Sequence, residues 1–534
     1  MYLNTLPQRR ALCLILSLYI SADFWGCDEA DTDQPAHSAS TDQGSGGQAD
    51  SSLNDGGGSA DEEDSTLGGS ELDERDAASD RDMMDGESLD RGLDRDAGVS
   101  QDQEVPSDLL YDPDDGPSHD GGRVVSVSSS AELLSAIEMA SPGDVITLMP
   151  GDYPLNQLIT VRRAGTAAER IFLRAEELGQ VTLSLSHIEN FKLYAPFWVF
   201  ENLKITGVCE DGRGCEHAFH IVGDADDLIF RDNEIIDFAS HVKLNGERTG
   251  EGPAQSFPDR VMFLNNLWYN TRYITNNAPH NILNLDGGRD HVIRGNIFAD
   301  YNTPETLPKS ASAVYLKAST RGALVEQNLI VCEWTRTAGE TARGVQLGDG
   351  APASICDGDD DQDGIGDCEE RGQSQETIVR NNIIARCDNG GSAAGIMVSS
   401  DRDSLIIHNT VYHVGQRNAG FYQGHPDHDT YWRANILERG INTQYANRPL
   451  NERDNLSPSA EEVSALFTDS AVGDLTLQRS ELLMNQVETA SDAPHDFCGY
   501  PRGERADIGA IEYSTTYEGA RCVEQLRAMF ARLP

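Results

Sequence analysis

One short phrase returns eight times between Phe197 and Gly440: a few apolar or β-branched residues, an asparagine, then more apolar residues. The copies read FWVFENLKI, LIFRDNEII, VMFLNNLWY, HVIRGNIFA, ALVEQNLIV, TIVRNNIIA, SLIIHNTVY and TYWRANILE. Their asparagines are Asn202, Asn233, Asn266, Asn296, Asn328, Asn382, Asn409 and Asn435, at intervals of 31, 33, 30, 32, 54, 27 and 26 residues. A return in this range, carried by strand-forming residues without helical periodicity, is the mark of a solenoid of strands. One coil is too thin to bury its own apolar face, so coils stack about 4.8 Å apart and share a core. The expected fold is all-β, a right-handed parallel β-helix over residues 123–514. An asparagine inside each apolar phrase suits the bend between two strands, where its amide can bond the same amide one coil away.

The ends of the expected solenoid are read in the same way. AELLSAIEMA (131–140) is a short amphipathic helix with Ser130 as its N-cap, placed to cover the open first coil. Residues 515–534 form a tail or a helix. The passage PGDVITLMPGDY resembles the opening of pectin-lyase-like β-helix proteins, and HDFCGYPRGERADIGAIEY (495–513) resembles the closing motif of bacterial right-handed β-helix proteins. Both resemblances imply fold, not activity.

The chain reaches that domain through two other segments. Arg9 and Arg10 precede the apolar run ALCLILSLYISA, too short to span a bilayer, so residues 1–26 read as a secretory signal peptide. Cys27 follows Gly26 directly after the run and resembles the cysteine of a bacterial lipobox, which implies a lipidated N-terminus. Residues 27–122 read as a disordered acidic linker. Positions 28–122 hold 29 acidic and four basic residues, a net charge of −25. Such a segment repels itself and has too little apolar surface to fold. The expected location is secreted, at the cell surface or outer membrane, with the membrane touched only through the lipid. The rest of the chain is acidic too, which argues against nucleic acid as a partner.

Eight cysteines lie beyond Cys27, an even number that implies disulfides in an exported chain. The expected pairs are Cys209–Cys215, Cys356–Cys368, Cys332–Cys387 and Cys498–Cys522. Cys332 and Cys387 follow Asn328 and Asn382 at nearly equal offsets, as neighbours on adjacent coils would. Between Asn328 and Asn382 the interval swells to 54 residues, and the insertion (351–372) carries DDDQDGIGDCEE. Its Asp359, Asp361, Asp363, Ile365, Asp367 and Glu370 place oxygen ligands at calcium-loop positions 1, 3, 5, 7, 9 and 12, Ile365 through its carbonyl. With Cys356 and Cys368 the loop resembles a thrombospondin type 3 repeat, and Ca2+ is the expected cofactor, in a structural role.

Chemistry is sought on the outer face of the coils. Only five lysines occur in the chain, and two lie in predicted strands. In SAVYLKAS, Val314 and Leu316 alternate with Tyr315 and Lys317. In SHVKLNG, Val242 and Leu244 leave His241, Lys243 and Asn245 outside. Arg343, in ARGVQLG, is expected one coil after Lys317. Cleavage of a uronate polymer by elimination needs the carboxylate neutralised, a base for the α-proton and an acid for the leaving oxygen. Lys317 as base, Arg343 and Tyr315 beside it, and His241, Lys243 and Arg321 as substrate contacts would meet those needs. The stretch YLKASTRGALVEQNLIV to ARGVQLG is similar to polysaccharide lyase family six, the family of chondroitinase B and alginate lyases. That similarity implies Lys317 as base and Arg343 as acid. Ala318 stands where the family has serine, and Ser310 and Ser312 stand where its calcium-holding acids would be. Two functions follow as expectations for a monomer working on extracellular polysaccharide: a uronate lyase, or a non-catalytic glycan-binding surface protein.

Overall fold

A computed structural model of the protein describes residues 121–209, 214–247, 256–275, 279–307, 309–318, 320–336, 342–348, 373–388, 393–425, 428–513 and 516–534. The signal peptide, the acidic linker up to residue 120, Cys27, the calcium loop and the Cys356–Cys368 pair lie outside the described residues.

The chain is a parallel β-helix. Its described residues form three long parallel sheets of 12, 10 and 10 strands. Each coil visits them in a fixed order. One coil places Val292–Arg294 in the first sheet, Ile297–Ala299 in the second and Ala311–Lys317 in the third. Apolar side chains from the strands of all three sheets point into the stack and form a single core with Trp198, Phe230, Phe263, Trp268 and Phe298 among its largest members. Aromatics stack coil on coil, as in Phe200 on Phe230 at 5.1 Å and Phe230 on Phe263 at 5.2 Å.

The recurring asparagine sits at the bend between the first and second sheets. Asn296 shows what each one does. Its Nδ2 donates to Phe263 O at 2.8 Å and to Asn328 Oδ1 at 3.1 Å. Its Oδ1 accepts from the main-chain N and the Nδ2 of Asn266, both at 3.1 Å. The same bonds repeat from Asn233 to Asn455. The residue before each ladder asparagine takes a left-handed conformation, from Asp232 (φ 56°) to Asp454 (φ 60°), and turns the chain in one step. Asn202 is a correction. It holds the left-handed position itself (φ 57°), so Leu203 occupies the ladder site and its main-chain N donates to Asn233 Oδ1 at 3.0 Å. At the other end Asn455 continues the ladder beyond the last phrase.

A helix, α1 (Ser130–Met139), covers the first coil and buries Leu133, Ala136 and Ile137. Its N-cap is Ser129, not Ser130: Ser129 Oγ accepts from Glu132 N, while Glu132 Oε2 accepts from Ser128 N at 2.7 Å. Three disulfides join the pairs expected from spacing: Cys209–Cys215, Cys332–Cys387 and Cys498–Cys522.

The coil itself ends at the strand Asn451–Arg453 rather than continuing to 514. Beyond it, α2 (Ala460–Leu466), a run of turns and α3 (Thr516–Phe530) fold back over the second sheet. They bury its outward residues Leu267, Ile297, Leu329 and Ile383 under Leu466, Leu483, Phe497 and Leu526. The closing motif holds this cover in place. Arg502 is fully buried: its Nη2 donates to Asn381 Oδ1 at 2.9 Å and Gly509 O at 3.0 Å, and its Nη1 faces Glu512 at 3.4 Å. Asp496 accepts from the main-chain N of Cys498 and Tyr500, and Asp507 from that of Asn485 and Tyr513. Removing one partner of a buried ion pair costs about 3–5 kcal/mol. Arg502→Met should therefore lower unfolding free energy by an amount of that order in urea titrations. A change inside the ±0.5 kcal/mol usual for surface sites would show that the cover does not depend on it.

Candidate active site

The third sheet carries the candidate site. Its strands align by their core residues: Phe191, Phe219, Val242, Leu283, Val314 and Val345 are in register and point inward, as do Leu193, Ile221, Leu244, Leu285, Leu316 and Leu347. The position between the two points outward, and reads Lys192, His220, Lys243, Asn284, Tyr315 and Gln346 along the stack. The next outward position reads Asn245, Asp286 and Lys317 on three successive coils.

Asp286 organises this face. Its side chain is only 3% exposed, yet Lys243 bonds Oδ2 and Lys317 Nζ stands 3.2 Å from Oδ1. The two lysines are 20% and 15% exposed, so they are reachable but poorly solvated. Glu216 adds a second carboxylate whose charge reaches Lys243. Burial is the larger influence on Lys243 and pulls its pKa below the usual lysine value; Asp286 opposes that shift and Lys317 adds to it. Lys317 Nζ also lies 4.8 Å from the centre of the Tyr315 ring.

A second polar group adjoins the first on the two preceding coils. His220 Nε2 lies 2.7 Å from Asn245 Oδ1, and its Nδ1 lies 3.1 Å from Glu189 Oε1. Lys192 donates to Glu189 Oε2 at 3.1 Å. Burial lowers the pKa of His220, and that of His217 to about 4.

The structure thus brings Lys317, Tyr315 and Lys243 together and places the other expected residues elsewhere. Arg343 is one coil after Lys317, but its partner in register is Ser312, five positions earlier in the strand, roughly 16 Å away at ~3.3 Å per residue. There Arg343 Nη1 and Ser312 Oγ both donate to Gln346 Oε1 at 2.9 Å. Position within the strand, not distance in sequence, sets neighbours in a parallel stack. His241 is not on the outer face. The third-sheet strand begins at Val242, and His241 in the bend before it points into the core between Phe238 and Trp268, with 0% exposure. Burial takes its pKa down to about 3. Arg321 lies past the left-handed turn at Ala318, in a separate three-stranded ladder, and grips both oxygens of Glu376 at 2.9 and 3.0 Å.

Among the described residues no cluster of His, Cys, Asp or Glu could hold a metal. The expected calcium ligands lie outside those residues.

No family model matches the chain, and no curated protein does. Solved structures with a similar chain path include pectate lyase Pel9A, at 15% identity and TM-score 0.40, over 73% of this chain and 96% of that one. An alginate lyase from Paenibacillus sp. str. FPU-7 is 16% identical with TM-score 0.35, over 58% of this chain and 98% of its own. A PL6 family polysaccharide lyase from Pseudopedobacter saltans is 14% identical with TM-score 0.32, over 63% and 93%. Likeness at this level decides nothing about chemistry.

Proposed function

We propose that the protein binds an acidic polysaccharide on the outer face of the third sheet and cleaves it by β-elimination. The observation that carries this reading is the pair Lys243 and Lys317 on the one buried carboxylate of Asp286. A lysine facing a uronate carboxylate offsets its charge, and that neutralisation acidifies the adjacent C5–H. Lys243, with its lowered pKa, gives up its own proton most readily and serves as base. Its nitrogen takes the C5 proton, the C–H electrons form the C4–C5 double bond, and the C4–O bond breaks. Tyr315 protonates the departing oxygen. Lys317 faces the substrate carboxylate. Incubation with a panel of polyuronates, followed by the ultraviolet absorbance of the unsaturated product, tests the reading. Binding of a polyuronate with no product from any of them would leave a surface glycan-binding protein instead, the reading favoured by the fact that both ammoniums are already paired.

The same reading includes a calcium ion on the inserted loop and a lipid on Cys27. Carboxylates crowded into one loop repel unless a cation lies between them. Calcium should raise the melting temperature of the wild type, and the double variant Asp361→Ala, Asp363→Ala should not respond. An equal response in both would place the ion elsewhere.

A further inference from the structure

The first sheet carries a charged row of its own. Arg174, Glu201, Arg231, Leu264, Arg294, Glu326 and Arg380 stand in register on successive coils, each just after an inward core residue and so pointing outward. Two Arg–Glu–Arg triads flank Leu264. In the second, Arg294 Nε donates to Glu326 Oε1 at 2.5 Å and Arg380 Nε to Oε2 at 2.6 Å, and all three residues are buried. Arg380 Nη1 donates to the carbonyl of Asp492, and its Nη2 has no partner among the described residues. The left-handed residues Asp232, Asn265, Gly295, Gln327 and Asn381 line the corner beside this triad. Gly295 leaves the middle of that line without a side chain, and a Cβ there would come within 2.3 Å of Asn265 Oδ1.

The C-terminal cover does not close on this corner. Between the corner, the loop 495–499 and α3 lies a cleft of about 750 Å3, inside the ~300–1,000 Å3 range of small-ligand sites. The Cys498–Cys522 disulfide ties the loop to α3, and Gln327 Nε2 and Asn381 Nδ2 pin the loop to the floor by bonds of 2.8 Å to the carbonyls of Asp496 and His495. Exposed Gln525, Ala528 and Arg532 form the mouth. The lining charges are Arg294, Arg380 and Arg532 against Glu326 and Asp232, and Arg532 acts on Asp232. We propose that this cleft binds a sugar acid, with its carboxylate on the guanidiniums of Arg294 and Arg380 and its hydroxyls on the amides of Asn265, Gln327 and Gln525. A carboxylate only accepts and matches a guanidinium, which only donates. An amide both donates and accepts, as a hydroxyl does. Phe497 and Met529 supply apolar surface for the C–H face of the ring. The site lies on a different sheet from Lys243 and Lys317 and stands whether or not the third sheet cleaves a polysaccharide.

Calorimetry with galacturonate, galactose and acetate tests the cleft, on the full chain carrying Lys243→Ala and Lys317→Ala so that the third sheet contributes nothing. Galacturonate, which has no glycosidic bond to cleave, should fill one site per chain, at least about tenfold more tightly than either of the others, the effect of one charge-assisted hydrogen bond. Adding Arg380→Met should remove that preference over galactose while leaving Arg294 and Glu326 as a balanced pair. Adding Ala528→Trp, at an exposed helix position, should fill the mouth and abolish binding with the melting temperature unchanged. Galacturonate affinity intact in both variants would overturn the site, as would no galacturonate binding at all. Galactose binding as tightly as galacturonate would overturn the role of the arginines, and acetate binding as tightly would overturn that of the amides. None of these outcomes bears on the lyase reading.

Discussion

Asn296→Leu should cost the protein about 3–6 kcal/mol, more than any outer-face substitution, because one side chain closes several buried hydrogen bonds that leucine cannot make. The change strands the main-chain N and the Nδ2 of Asn266, the indole nitrogen of Trp268, which donates to Asn296 Oδ1 at 3.2 Å, and the carbonyl of Phe263. Each unsatisfied buried group costs about 1–3 kcal/mol, and relaxation recovers part of the sum. Nor is the loss confined to one coil, since Asn266 and Asn328 are the next steps of the ladder. Asn455→Ala, at the half-buried end, should cost far less. Asn296→Asp adds a pH test. Its carboxyl donates a proton only in the neutral form, and burial raises its pKa in the folded state. Stability of that variant is therefore present below the unfolded pKa and lost as pH rises through the folded one. Urea unfolding of the three variants is the measurement. An Asn296→Leu variant within about 0.5 kcal/mol of wild type would mean that the ladder is incidental to stability.

Much of the fold was legible because that ladder leaves a mark at each coil. Seven of the eight phrase asparagines occupy the ladder. Asn202 misled by one place because asparagine is also among the few residues at ease in the left-handed turn that precedes the ladder site. One disulfide was legible for the same reason: Cys332 and Cys387 keep nearly equal offsets, four and five residues, from their asparagines on successive coils. The site was legible only in part. Alternation placed Tyr315, Lys317 and Lys243 outside, but it also placed His241 outside, because the strand starts one residue later than the apolar pattern suggests. Asp286 went unseen. In HNILNLDGGRD it has the look of a turn aspartate before two glycines. Its meaning appears only when FKLY, FHIV, VKLN, LNLD, VYLK and VQLG are laid in register by their core residues. That alignment puts Asp286 beside Lys317, uncovers Lys192 and His220, and moves Arg343 away from the lysine.

Lys243→Ala and Lys317→Ala should each lower product formation by about 10²–10⁴-fold, the range that a positioned acid or base contributes. The structure makes this a joint prediction, since the two side chains share Asp286 and removing either changes the charge at the other. Neither is a control for its partner; Lys204→Ala, on a different sheet, is. Lys243→Arg should fail as well, because a guanidinium stays protonated and takes no proton near neutral pH. The two roles separate by pH. A base must be neutral to work, so rate should climb as pH rises through the pKa of Lys243. Asp286 holds that pKa up against burial. In Asp286→Asn the supporting charge is gone, the pKa falls further, and the rising limb of the rate profile should move to lower pH, with weaker substrate positioning reducing its height. In Lys317→Ala the repulsion from a neighbouring ammonium is gone, and the limb should move to higher pH. Opposite shifts in these two variants would identify Lys243 as the base. If Lys243→Ala keeps wild-type turnover while Lys317→Ala loses it, the base is Lys317. If both keep it, the chemistry lies off this face altogether.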